Sequence, residues 1–270
     1  MSQVLYGHSS ASIVSALVVL MLLAMEVGLR SGRRQQAAKA EVIRQANAVL
    51  TSMLGLLALL LAFTFSAALQ RYEDRSQTVV AEANAIGTTY LRALLLPGDL
   101  PDEVQTLLRQ YLEVRIQEGR VDAADAERHE SLLQRAQDIQ ARLWSHAVGA
   151  AQVDNSVVTS GLFIQSLNQL IDTSVARNAS LTRQVPEVVL LLMFATVVLT
   201  TATLGYASGV AGHRVTLAAF VMVTLIAVVA YLIMDLDQPR RGAIQVSHES
   251  MLSLQKAIGT AQGAAAEPGR

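Results

Sequence analysis

Four blocks of apolar residues dominate the chain, and each is long enough to cross a lipid bilayer. A spanning helix needs roughly 20 mainly apolar residues, because about 30 Å of hydrocarbon is covered at 1.5 Å per residue. The blocks run over residues 11–29, 48–69, 186–208 and 215–234. No run alternates with period two for long enough to be a strand. The fold class expected is an all-α membrane protein: four transmembrane helices, with a helical extramembrane domain inserted between spans two and three. Charged residues make up 16% of the 270-residue chain, against about 25% in ordinary soluble domains. With no cysteine and a net charge of −1, a disulfide scaffold, thiol catalysis and a dedicated nucleic-acid binder are all disfavoured.

The organisation follows from the blocks. Residues 1–70 hold the first two spans and their connecting loop, 71–185 the extramembrane domain, 186–235 the third and fourth spans, and 236–270 a tail. The loop after the first block carries Arg30, Arg33, Arg34, Lys39 and Arg44 against the single acid Glu41. Basic residues in short loops stay in the cytoplasm. That charge favours a multi-pass inner-membrane protein with its N-terminus, helical domain and tail outside. Arg214, between blocks three and four, agrees; Arg71, Arg75, Arg177, Arg183, Arg240 and Arg241 count against it. The first ten residues hold no Lys or Arg, unlike a signal peptide.

Residues 71–185 contain 11 basic and 15 acidic residues, and their periodicity is helical. Leu132, Leu133, Ala136, Ile139, Leu143 and Ala147 recur at steps of three and four, as do Phe163, Leu167, Leu170, Ile171 and Ser174. Pro101 followed by Asp102 and Glu103 predicts a helix start, since the N-terminal dipole favours acids. Block two is predicted to continue as a helical stalk until Gly87, and the segment before Pro186 to lead straight into block three. The tail is expected to form a short helix after Ser247 and to end disordered.

The densest polar motif spans Glu82 to Arg92. On a helix, Arg75, Glu82 and Thr89 share one face, and Asn84, Thr88 and Arg92 another. Two readings stand: hydrogen-bonded helix contacts that hold the domain together, or a vestibule or ion-binding site along the stalk. Within the spans, Glu26 and Arg30 are spaced for an ion pair, and Asp235 and Asp237 close block four as a helix-end boundary or an acidic ring. The hydroxyls Thr51, Ser52, Thr64, Ser66, Thr196, Thr200, Thr201 and Thr203 either bond back to their own helix or line a pore. Gly205 and Gly209 permit a close helix approach or a flexible turn. The five histidines are not paired at metal-ligand spacing, so no metal site is expected. No nucleophile elbow, P-loop or dinucleotide motif appears, so neither enzyme nor cofactor is expected.

Several of these residues together resemble a family. The stretch Leu60–Ser66, the pair Arg71-Tyr72, the run Glu82–Thr88, Tyr90-Leu91-Arg92, Tyr111-Leu112, and Leu236–Pro239 followed by Gly242, Val246 and Ser247 resemble the bestrophin-like membrane proteins over about residues 45–252. Arg240 stands where that family tends to carry an aromatic residue. The resemblance implies a distant likeness to bestrophins, pentameric anion channels with four membrane helices and a helical domain between the second and third. In those channels the neck is lined by bulky apolar residues one turn apart on the second helix, a spacing shared by Leu59 and Phe63.

The function expected is a homo-oligomeric ion channel, anion-selective if the resemblance extends so far, with small inorganic ions and the lipid bilayer as partners. Leu59, Phe63, Thr64, Phe65 and Ser66 are the candidate pore-lining residues. Arg75, Glu82, Asn84, Thr88, Thr89 and Arg92 are the candidate vestibule or ion-binding residues. The alternative is a non-conducting membrane sensor or scaffold whose acidic helical domain binds a partner.

Overall fold

The computed structural model describes residues 9–35, 40–121, 125–212, 216–238, 242 and 244–266, the side chains of 261–266 excepted. Lys39, Arg214, Arg240 and Arg241, used above for charge and resemblance, lie outside the described residues, as does Pro239. The described elements are all helical: α1 (Ser10–Arg33), α2 (Ala40–Arg92), α3 (Leu100–Arg120), α4 (Ala126–Val153), α5 (Leu162–Thr182), α6 (Glu187–Val210), α7 (Leu217–Asp237) and α8 (Glu249–Ala266). A short 3-10 turn, Ala93–Leu95, follows α2, and a π-turn, Val157–Gly161, precedes α5.

Two compact units are present, one formed by Met1–Tyr72 and Gln184–Gln245, the other by Glu73–Arg183 and Val246–Arg270. α2 belongs to both. Its 53 residues make a helix of roughly 80 Å at 1.5 Å per residue, far longer than a bilayer core. It passes through Gly87 without a break. A Cβ at Gly87 would lie 3.1 Å from Leu254 Cδ1 of α8, so the glycine there makes room for a packed side chain. Only a small helical penalty is incurred, about 1 kcal/mol against alanine.

Among the described residues four helices are long and apolar enough to span a membrane, and the first unit holds α1, the first part of α2, α6 and α7. Its core is Met21, Leu57, Leu190, Met193, Val197, Ala230, Ile233 and Met234. Lipid tails are as apolar as leucine, so close packing rather than water exclusion holds such helices together. The closest approach is between α1 and α6. A Cβ on Gly28 would run into the Ala202 carbonyl, and one on Gly32 into that of Tyr206. Reciprocally, a Cβ on Gly205 would run into the Met25 carbonyl and one on Gly209 into that of Leu29. Both helices thus carry Gly-x-x-x-Gly at the crossing, and the order of partners makes them parallel. Of the two readings of Gly205 and Gly209, the close approach is the one observed. The matching pair, Gly28 at the end of the first block and Gly32 just beyond it, is visible in the sequence at the same spacing.

The second unit is a helical bundle around Ile86, Leu108, Tyr111, Leu112, Leu143, Phe163, Leu167 and Leu170. α3 starts after Gly98, whose φ of +64° suits glycine, with Pro101 in its first turn beside Asp102 and Glu103. α4 is capped by Asp125, whose carboxylate accepts from the Arg128 N–H at 3.1 Å. The α4 stripe buries Leu132, Ala136, Ile139, Leu143 and Ala147, as the periodicity predicts, and adds Ala150. The tail is not separate: α8 seats Met251 and Ile258 in this core and runs helical as far as Ala266. The stalk before Pro186 is broken rather than continuous. α5 ends at Thr182 and Arg183 turns extended, three residues ahead of Pro186, as helices commonly end at or before the residue preceding a proline.

Candidate functional site

Glu82 on α2 is completely buried and accepts four hydrogen bonds. Its Oε1 accepts from the Tyr111 hydroxyl and from Arg115 Nε, both at 2.7 Å. Its Oε2 accepts from Arg115 Nη2 at 3.1 Å and from Arg177 Nη1 at 2.8 Å. Arg115 also reaches Glu118 at 2.6 Å and donates to Asn178 Oδ1 at 3.3 Å. Arg177 reaches Glu118 at 3.8 Å. Gln140 of α4 donates to the Tyr111 hydroxyl at 3.1 Å and to Ser174 at 2.9 Å. Four helices, α2 to α5, therefore meet through one polar network, in which two carboxylates face two guanidiniums.

The electrostatics follow from that balance. Burial pushes the Glu82 carboxyl up, but Arg115 and Arg177 outweigh it and hold the carboxyl below its usual range. Burial and the Glu82 charge push the Tyr111 hydroxyl up. For Arg115 burial acts downward, and Glu82, Tyr111 and Glu118 raise it above its ordinary value. All three groups are held in their ordinary charge states, as a structural contact requires.

The two polar faces of the stalk have different surroundings. Arg75, Glu82 and Thr89 are buried in the helical unit. Arg75 donates to the Arg183 carbonyl at 3.2 Å, and Thr89 bonds back to Ala85 at 2.7 Å. Asn84 and Thr88 are exposed and Arg92 is half-buried. These three line a groove of about 390 Å³ with Gln165, Ser166, Gln169 and Thr173 of α5. Arg92 Nη1 donates to the Leu162 carbonyl at 2.9 Å and to Gln165 Oε1 at 3.3 Å, so the guanidinium is fixed at one end of the groove.

The candidate pore residues also divide. Leu59, Phe63 and Ser66 lie on one uncovered face of α2. Thr64 points away from that face and is 3% exposed, because one residue past Phe63 turns about 100° around the helix. Its hydroxyl donates to the Leu60 carbonyl at 2.7 Å and contacts Met193 Sδ at 3.4 Å. Phe65 is half-buried against the first unit's core. Thr51, Ser52, Thr196, Thr200, Thr201 and Thr203 all bond back to carbonyls of their own helix. Glu26 and Arg30 form the spaced ion pair, at 2.7 Å.

The sequence reading does not single out Tyr111, Arg115 and Glu118 as partners of Glu82, although a signal exists. They fall at i, i+4 and i+7 in the register of the apolar face of α3, beside Leu108 and Leu112. Arg177 likewise continues the stripe Phe163, Leu167, Leu170 and Ser174 of α5. A charge inside an apolar stripe requires a buried counter-charge.

These features define a class: a helical membrane protein with four candidate spans and a helical unit, with one helix, α2, common to both. The chain belongs to the bestrophin-like family, whose domain matches residues 13–251. Solved structures of a bacterial bestrophin homologue from Klebsiella pneumoniae are similar to it in fold. A form of that homologue with one tryptophan replaced by alanine superposes with a TM-score of 0.71 at 18% identity, covering 95% of this chain and 99% of that one. A second form, with one tyrosine replaced by alanine, gives 0.66 at 17% identity, covering 92% and 99%. No curated protein matches the sequence.

Proposed function

We propose that the chain is a subunit of a homo-oligomeric ion channel, with α2 lining the pore. The observation that carries this reading is the nakedness of α2. Only 11% of its apolar window is buried within the chain, against 33% to 39% for the other three spans. Its bare face carries Leu59, Phe63 and Ser66, with Gly55 having nothing within 4 Å of a built Cβ. Copies of α2 arranged about an axis would present Phe63 as an apolar constriction, which gates by dewetting.

Asn84, Thr88 and Arg92 form the vestibule in this reading, and Arg92 gives it an anion preference. The buried Arg75, Glu82 and Thr89 hold the helix that carries them. In the same reading the basic 30–44 loop faces the cytoplasm of an inner membrane, and the N-terminus, helical unit and tail face outside. Arg75 and Arg177, which count against that orientation, are buried within the helical unit.

The test is current through purified protein in planar bilayers with asymmetric chloride. Wild type conducts, Phe63→Ala raises the conductance, and Arg92→Glu moves the reversal potential away from that of chloride. Absence of current from all three, with the oligomer intact, would favour a scaffold whose helical unit binds a partner.

A further inference from the structure

His248 is placed as a chemical contact between the C-terminal helix and the buried ion network. It immediately precedes α8, and its carbonyl accepts from the Leu252 N–H at 3.1 Å. The imidazole lies against the last turn of α3, where a Cβ on Gly119 would run into the ring. Its Nε2 lies 3.4 Å from Nη2 of Arg177, the same guanidinium whose Nη1 holds Glu82. A guanidinium only donates, so Nε2 accepts and carries no proton. The ring is therefore the neutral Nδ1–H tautomer, and the Val246 backbone is bonded to the ring as well. Behind this contact, α8 seats Met251 in the core, lays Leu254 over Gly87 of α2 and buries Ile258.

We propose that His248 is a proton-operated latch for α8: neutral, it accepts from Arg177 and holds the helix seated; protonated, it opposes Arg177 and releases it. A proton on Nε2 replaces an acceptor by a donor facing a donor and sets two positive charges together. The groups around the ring are Arg177 on α5, Glu118 and Arg120 on α3, and His129 on α4, which reaches Glu118 at 3.7 Å. Burial, then Arg177 and Arg120, oppose the protonated ring, Glu118 and the Val246 backbone bond favour it, and the sum holds the imidazole below its ordinary value. The neutral form therefore stabilises the seated state above the ordinary histidine range. That stabilisation is lost as the pH falls through it, because the released state takes up the proton more readily. The reading is independent of ion conduction, since it concerns only how α8 is held.

The experiment is hydrogen–deuterium exchange of α8 amides in the full-length protein in lipid nanodiscs, corrected for the intrinsic pH dependence of exchange. Between about pH 7.5 and about pH 5.5, where histidine titrates, protection of residues 251–258 in wild type falls severalfold, with about tenfold as the ceiling for one group over this interval. His248→Gln, which keeps an acceptor and cannot be protonated, retains its protection across the range; His248→Asn serves if the glutamine variant does not fold. His129→Gln, which leaves the latch in place, shows the wild-type fall. Unchanged protection in wild type overturns the proposal. So does an equal fall in His248→Gln or His248→Asn, or loss of the fall in His129→Gln, which would put the titrating group elsewhere.

Discussion

Asp237 clamps the backbone of Val185: its two carboxylate oxygens accept from the same N–H, at 3.1 and 2.9 Å. The residues are 52 apart in sequence, and the contact ties the end of α7 to the extended segment that enters α6. Asp235, in the same last turn of α7, accepts from the Ile244 N–H at 2.9 Å. Of the two sequence readings, a helix-end boundary describes these aspartates, since both carboxylates are turned inward to backbone donors.

Removing that acceptor leaves a buried donor without its partner. Asp237→Ala should cost about 1–3 kcal/mol, the usual penalty for an orphaned buried group. Asp237→Asn keeps one acceptor oxygen and should lose less. Thermal unfolding of the detergent-solubilised protein compares them, and an unshifted melting temperature for Asp237→Ala would deny the clamp.

Glu82 carries more. Glu82→Ala removes the acceptor of three guanidinium hydrogen bonds and leaves Arg115 and Arg177 with Glu118 as their one remaining carboxylate; breaking a buried ion network in this way should cost about 3–5 kcal/mol. The pH dependence has a fixed sign. The folded carboxyl sits below its unfolded value, so its contribution is full above the unfolded value and disappears as pH falls through the folded one. Unfolding followed from neutral to acid pH should show wild type losing stability that Glu82→Gln never had. Parallel curves for the two proteins would remove Glu82 from the acid response.

Glycines in the spans are predicted to differ sharply. Gly205→Val places a side chain on the Met25 carbonyl and should prevent α1 and α6 from packing. Gly55→Val meets nothing within the chain and should leave the monomer folded. If α2 meets its copies along this face, the same substitution should weaken the oligomer. Size-exclusion profiles and yields of membrane-extracted protein separate these outcomes.

Orientation is open to direct labelling, because the native chain has no cysteine. Ser31 and Ser131 are both exposed. With the basic loop in the cytoplasm, Ser31→Cys in intact spheroplasts should resist a membrane-impermeant thiol reagent and Ser131→Cys should react. The reverse pattern would place the helical unit in the cytoplasm.

The spans, the α4 stripe and the two polar faces of the stalk are legible in the sequence because each is a local matter. Helical period and hydrocarbon thickness are properties of a short window, and about 100° per residue places Glu82 and Asn84 on different faces in any helix. The partners are not legible to the same degree. Arg115 and Arg177 lie 33 and 95 residues from Glu82, and a stripe shows only that a charge must be matched, not by which residue.

The sequence by itself thus determined the all-helical character and the four candidate spans, since hydrocarbon permits no unpaired backbone there. It also placed a hydroxyl-bearing apolar helix second in the chain. Tertiary structure decided the rest. It set Gly28 against Ala202, sent Thr64 inward to Met193 while leaving Phe63 uncovered, and joined α8 to the helical unit through His248 and Arg177. Each of those depends on where a distant helix comes to lie, and that is fixed by packing many side chains at once.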